Sequence, residues 1–371
     1  MLLLCIAALW ALPANANGIQ PVYVSSLTGT VGEYNAANGA AVKASFITGL
    51  SEPFGLALSG NNLFVANFSS GTVGQYNAST GAIINFSFIT GLDEPIAFAV
   101  SGNSLYVATW GNGTIGKYNA TTGAAIDASF ITGLVEPHAL LLSGSHLFVA
   151  NFGNATIGEY NAATGAAINP SLITGVVEPT GLALSGTHLL VSSFNTGTIS
   201  EYNVTTGSLI NPDFITGLDE PRGLSSSFSN LFVANEGNGT VGEYNATTGA
   251  TINASLIKGV TDPTGVLVGP YPPCTLNDTL SYNASTNVLT MKFTIGNQET
   301  APATWNAWLT FQDTMESLFS VSQPKANPPK AVNKTKTGLS AEGEVGVLST
   351  LTTTTQGIVC SSWVQTNTGT P

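Results

Sequence analysis

The sequence predicts an all-β chain, a six-bladed β-propeller closed by pairing of its N- and C-terminal strands and followed by a small β-sandwich. Three observations predict it. The dipeptide Tyr-Asn recurs at Tyr34, Tyr76, Tyr118, Tyr160, Tyr202 and Tyr244, a constant step of 42 residues, which is the length of one four-stranded blade. Only 8% of residues are charged, while glycine makes up 41 of 371, a balance that favours turn-rich β-structure over helix. The repeat array also starts without a leading strand and ends with a spare one.

Residues 1–16 form an apolar run ending in Ala14-Asn15-Ala16, the small-x-small pattern of a signal-peptide cleavage site. No Lys or Arg precedes the run. It is short of the roughly 20 residues needed to span a bilayer, and no later segment qualifies, so the mature chain is expected to lack a transmembrane segment. The expected location is secreted or extracytoplasmic, in the periplasm or at the cell surface.

Residues 17–270 hold the repeats. In the second unit the strand-sized runs are residues 55–59, 63–67, 72–76 and 83–89, separated by Ser-Gly-Asn-Asn, Ser-Ser-Gly and Ala-Ser-Thr-Gly. These separators are tight-turn chemistry, in which Gly or Asn supplies positive φ. Each unit is therefore a four-stranded antiparallel meander. The first unit begins directly at Val22-Tyr-Val-Ser25, and a spare run follows the last unit at Pro263-Thr-Gly-Val-Leu-Val. Pairing the two completes a sixth blade and removes two exposed sheet edges. An open solenoid is the alternative, although solenoid coils are usually shorter than this unit.

Glu52-Pro-x-Gly-Leu-Ala-Leu-Ser-Gly60, then Leu63-Phe-Val-Ala-Asn67, then Gly71-Thr-Val-Gly-x-Tyr-Asn77 together resemble the NHL and YVTN families of propeller repeats. The resemblance covers about two thirds of the chain. It implies the fold; it does not imply an activity, since such repeats serve binding modules, surface-layer proteins and enzymes alike.

Residues 271–371 begin with the stiff segment Tyr271-Pro-Pro273. Alternation at Leu289, Met291, Phe293 and Ile295, and at Trp305, Ala307, Leu309 and Phe311, marks half-buried strands. Further runs at residues 345–351 and 358–364 suggest a sandwich of about seven strands, similar to immunoglobulin-like or fibronectin-type domains. With Cys5 in the leader, Cys274 and Cys360 remain, and an even pair in an exported chain reads as one disulfide.

The net charge of −12 is uneven. Residues 17–270 carry fifteen acids against four bases, Lys43, Lys117, Arg222 and Lys258. Such a surface repels phosphate backbones, which argues against nucleic acid as a partner. Gly111-Asn-Gly-Thr-Ile-Gly116 matches a nucleotide-binding letter pattern, but it joins two strands and no helix follows to hold a phosphate.

Candidate site residues lie where loops converge on the propeller axis. Glu52, Glu94, Glu136, Glu178, Glu220 and Asp262 each precede a proline. A cation site is one reading, but six groups round a wide ring cannot meet one ion; carboxylates accepting backbone bonds are the other. After each proline the copies diverge to Phe54, Ile96, His138, Thr180, Arg222 and Thr264. At the end of the next strand stand Asn67, Thr109, Asn151, Ser193 and Asn235, followed by Phe68, Trp110, Phe152, Phe194 and Glu236. Phe68, Trp110, His138, Phe152, Phe194, Arg222 and Glu236 are therefore the candidate ligand-binding set. Aromatic faces and amides suit contact with an extracellular protein or carbohydrate. Packing of the same aromatics between blades is the plainer reading. His146 and His188 read as solvated turn residues on the opposite face.

The near-equal copies favour a binding protein with no catalytic residues and no cofactor, because catalysis needs chemically different groups brought together. The alternative is similarity to gluconolactonase-like hydrolases, which implies one axial divalent cation. Asn67, Asn151, Asn235 and Glu236 would be its ligands here. The Glu-Gly-Pro motif expected of that class is absent.

Overall fold

The computed structural model describes residues 20–270 in full and four further strands in residues 279–366. The leader, Cys274 and the expected strand at 305–312 lie outside the described residues. The chain divides into two compact units, with the boundary between Tyr271 and Pro272.

In the repeat unit every expected strand forms, twenty-four in six sheets. The second blade contains β4 (Pro53–Ser59), β5 (Asn62–Asn67), β6 (Thr72–Asn77) and β7 (Ile83–Ile89), in that order from the axis outward. The same meander recurs as β8 (Pro95–Ser101), β9 (Ser104–Thr109), β10 (Thr114–Asn119) and β11 (Ala125–Ile131), then β12 (Pro137–Ser143), β13 (His146–Asn151), β14 (Thr156–Asn161) and β15 (Ala167–Thr174). It continues as β16 (Pro179–Ser185), β17 (His188–Ser193), β18 (Thr198–Asn203) and β19 (Leu209–Ile215), and as β20 (Pro221–Ser227), β21 (Asn230–Asn235), β22 (Thr240–Asn245) and β23 (Thr251–Lys258).

The remaining blade joins the chain ends. Its order is β24 (Pro263–Val268), β1 (Pro21–Ser26), β2 (Thr30–Asn35) and β3 (Ala41–Thr48). β24 runs antiparallel to β1, with Val22 opposite Val268 and Val24 opposite Val266. The six innermost strands, β4, β8, β12, β16, β20 and β24, then neighbour one another in a closed circle. They approach so closely that a Cβ at Gly265 would stand 2.4 Å from the Phe54 carbonyl oxygen. This close approach explains why the second residue after each proline is Gly or Ala.

The apolar core lies between blades. Phe64, Val73 and Phe88 of one blade pack with Phe98, Val107 and Tyr118 of the next, and five further layers repeat this round the ring. The recurring Gly-x-Tyr-Asn has a local cause. The Tyr76 ring lies back over Gly74, where a Cβ would meet it at 2.6 Å. Asn77 Oδ1 then accepts from the backbone N–H groups of Ser79 and Thr80, both at 3.0 Å, which closes the turn to the outer strand.

In the second unit, β25 (Thr279–Asn283), β26 (Val288–Lys292), β27 (Leu348–Thr354) and β28 (Gly357–Thr366) form one antiparallel sheet in the order β25-β26-β28-β27.

Candidate functional site

The loops leading into the innermost strands and those leaving the second strands meet at one end of the ring. Backbone bonds lock them together. The N–H of Phe68 donates to the main-chain oxygen of Glu52 (3.2 Å), and Trp110, Phe152, Phe194 and Glu236 repeat this to Glu94, Glu136, Glu178 and Glu220. Leu27 donates likewise to Asp262 at 3.1 Å, so Leu27 holds the sixth position of the ring that Phe68, Trp110, Phe152, Phe194 and Glu236 occupy in the other blades. The sequence hid it because the first loop, Leu27-Thr-Gly29, is one residue shorter than Phe68-Ser-Ser-Gly71. These bonds use carbonyls where the sequence suggested carboxylates. Of the six acids only Glu52 has a side-chain hydrogen bond among the described residues, accepted from Ser69.

The two rings predicted from sequence do share a mouth. His138 is 6% exposed and lies among Phe152 (centroids 5.9 Å apart, stacked), Trp110 (5.6 Å, edge-on) and Phe54 (6.3 Å, edge-on). Phe54 also meets Phe68 at 5.1 Å, and Trp110 meets Phe152 at 5.2 Å. Arg222 crosses the mouth, its guanidinium 4.6 Å from the Phe194 ring centroid and 5.6 Å from that of Phe54. The Arg222 and Glu236 side chains form an ion pair and are 17% and 15% exposed. Phe54, Phe68, Trp110, Phe152 and Phe194 are each partly exposed. The aromatics thus pack against each other and still present surface to the mouth.

His138, Thr180 and Arg222 at the centre bond to one another. His138 Nδ1 donates to the Thr180 carbonyl at 2.9 Å, which places the ring proton on Nδ1. Nε2 is then free to accept from Arg222 Nη1 at 3.2 Å. Burial, and then the neighbouring Arg222 charge, push the His138 pKa down to about 3, so the ring is neutral in ordinary buffers. Burial pulls Arg222 down to about 10, which leaves it charged. His138 therefore orients Arg222 from beneath the aromatic surface. Thr180 and Thr264 donate across to the next blade, to the carbonyls of Pro221 and Pro53, both at 2.7 Å.

Asn67, Asn151 and Asn235 sit on the second strands, each Nδ2 donating to a threonine of its own hairpin, Thr72, Thr156 or Thr240, at 3.2–3.4 Å. Glu236 is neutralised by a guanidinium in direct contact. A divalent cation on Glu236 would sit beside that fixed positive charge, whereas Asn151 Oδ1 and Asn235 Oδ1 are buried without a hydrogen-bond partner among the described residues. Among the described residues, no three His, Cys, Asp or Glu side chains come together as a ligand set.

On the opposite face His146 and His188 are more than solvated turn residues. Their Nδ1 atoms lie 2.6 Å from Oε1 of Glu159 and Glu201, glutamates buried on the third strands. Asn230 holds Glu243 in the same way at 2.8 Å. The motif position between Gly and Tyr carried this signal.

No protein-family profile and no curated relative matches the sequence. Among solved structures, the chain is similar to one from the crystal structure of a nidogen/laminin complex, with 15% identity and a TM-score of 0.60 over 68% of this chain and 99% of that one. It also aligns with the computationally designed proteins Ika8 and Ika4, at 19% and 21% identity and TM-scores of 0.43 and 0.36. Those alignments cover 76% and 43% of this chain, and 84% and 95% of the designed ones. The first likeness supports the propeller fold alone. Among the described residues no helix is long and apolar enough to cross a membrane.

Proposed function

We propose that the protein is an exported, non-catalytic binding module that holds part of an extracellular or envelope protein or carbohydrate at the axial mouth. One observation carries this reading: the positions at which the six copies diverge are those that the fold gathers round the axis at one end. Phe68, Trp110, Phe152 and Phe194 offer flat apolar faces there, while Arg222 and Glu236 supply the polar contacts and His138 positions Arg222. Catalysis is disfavoured because His138 commits both ring nitrogens, to the Thr180 carbonyl and to Arg222, and so has neither proton nor lone pair to offer as an acid or base. In this reading the NHL/YVTN-type repeat forms the binding head. The C-terminal unit, read as an immunoglobulin-like domain with a Cys274–Cys360 disulfide, acts as spacer or second contact.

The test is binding of wild type and Trp110→Ala to a glycan array and to envelope extracts, with circular dichroism to show that the variant is folded. Wild type is expected to bind, and the variant to lose at least tenfold in affinity. Equal binding by both would remove the mouth from consideration.

A further inference from the structure

We propose that the axial mouth takes a cationic peptide segment, its lysine or arginine side chains laid on the aromatic floor and paired by a collar of carboxylates. This rests on the reading of the mouth as the binding site.

The collar is Glu52, Glu94, Glu136, Glu178, Glu220 and Asp262, and its backbone is the wrong one for these residues. All six have φ between 45° and 55°, the left-handed region that L side chains avoid. At most other recurring left-handed positions in the repeat the chain uses glycine. The structural duty at the collar belongs to the main-chain oxygen, which glycine would supply equally well. The proline that follows is constant as well, but one residue earlier stand Ser51, Asp93, Val135, Val177, Asp219 and Thr261, and two residues later the divergent ring. An acid kept six times in six, against its own backbone preference and, among the described residues, with a side-chain hydrogen bond in one copy only, is kept for its charge.

Asp93 and Asp219 in the same loops add two more carboxylates. Among the described residues, the cations at this end are Arg222, in an ion pair with Glu236 and close enough to Glu220 of the collar to feel its charge, and Lys258 at the end of the outermost strand of its blade. The collar charge is thus unbalanced around the floor. The floor already accepts a cation, since the Arg222 guanidinium lies over Phe194 and Phe54, the geometry in which aromatic faces attract positive charge. Charge complementarity therefore selects a basic chain. A neutral glycan would gain from the rings but nothing from the collar, and an anionic one would be repelled.

The experiment uses the full chain and labelled decapeptides that alternate serine with lysine, glutamine or glutamate, read by fluorescence anisotropy at 20 mM and 500 mM salt. The lysine peptide is expected to bind at least tenfold tighter than the glutamine peptide, and at least tenfold more weakly at high salt. Trp110→Ala and the triple variant Glu136→Gln/Glu178→Gln/Glu220→Gln are each expected to lose at least tenfold. Trp110→Ala keeps every charge, so diffuse attraction to an acidic protein would leave its binding unchanged and overturn the proposal. No binding of the lysine peptide by wild type overturns it as well. If Trp110→Ala weakens binding of all three peptides but their charge makes no difference, the mouth stands as the site and the cationic class falls. If glycan binding is also unaffected by Trp110→Ala, the mouth itself falls.

Discussion

His138 shows how one side chain can carry the asymmetry of a symmetric ring. Its Nδ1 proton is committed to Thr180 and its Nε2 lone pair to Arg222, so a second proton on the ring would break a bond and place two cations in contact. Its folded pKa of about 3 lies below the unfolded value near 6.5. Between these values the unfolded chain binds a proton that the folded chain refuses. Stability from this residue is therefore complete above about pH 6.5 and falls by roughly 1.4 kcal/mol per pH unit on acidification toward pH 3. In His138→Phe this loss is absent, so urea titrations from pH 7 to pH 4.5 should show the wild-type advantage shrinking; a constant difference contradicts the assigned proton. The collar makes the opposite kind of residue. Glu178→Gly relieves a left-handed side chain and should raise stability by about 0.5–1 kcal/mol, after the entropy cost of glycine in the unfolded chain. A higher midpoint in chemical denaturation checks it, and a lower one would mean that the carboxylate has a structural partner.

Among the elements, β24 has the most work to do, because it closes the ring between the two ends of the repeat array. Val266 faces Val24 across the pair and is buried among Val22, Val24 and Phe232. Val266→Asp would bury an unpaired charge and should cost more than about 3 kcal/mol. Ala44→Asp on the exposed outer strand β3 of the same blade should stay within about 0.5 kcal/mol. Equal effects in thermal melts would mean that closure contributes nothing. The strands themselves were legible because each is a short apolar run fenced by Gly, Asn and Ser turns, and because the spare and missing strands matched. Leu27 was not legible, since its place in the ring depends on a hydrogen bond to Asp262 more than two hundred residues away. The bonds from His146 and His188 to buried glutamates were hidden for the same reason: pairing register, not spacing, brings His146 and Glu159 onto facing strands.

At the scale of the molecule, charge is sparse and unbalanced, with fifteen acids and four bases in residues 17–270 and, among the described residues, one Arg–carboxylate ion pair. Salt therefore screens more repulsion than attraction. Raising sodium chloride from 20 mM to 500 mM should raise the melting temperature of the propeller by a few degrees, measured by calorimetry; a fall would show that attractive pairs dominate. The amino-acid sequence by itself determined the number of blades, their four strands and the way the ring closes, because these follow from a fixed period, local turn chemistry and a count of strands. It also marked Phe68, Trp110, His138, Arg222 and Glu236 as the places where the copies part company. Only the tertiary structure decided what those residues do together. The proton on His138, the ion pair that cancels Glu236 as a cation ligand and the strained backbone beneath six constant acids all arise from atoms brought together across blades, where separation along the chain carries no information about distance.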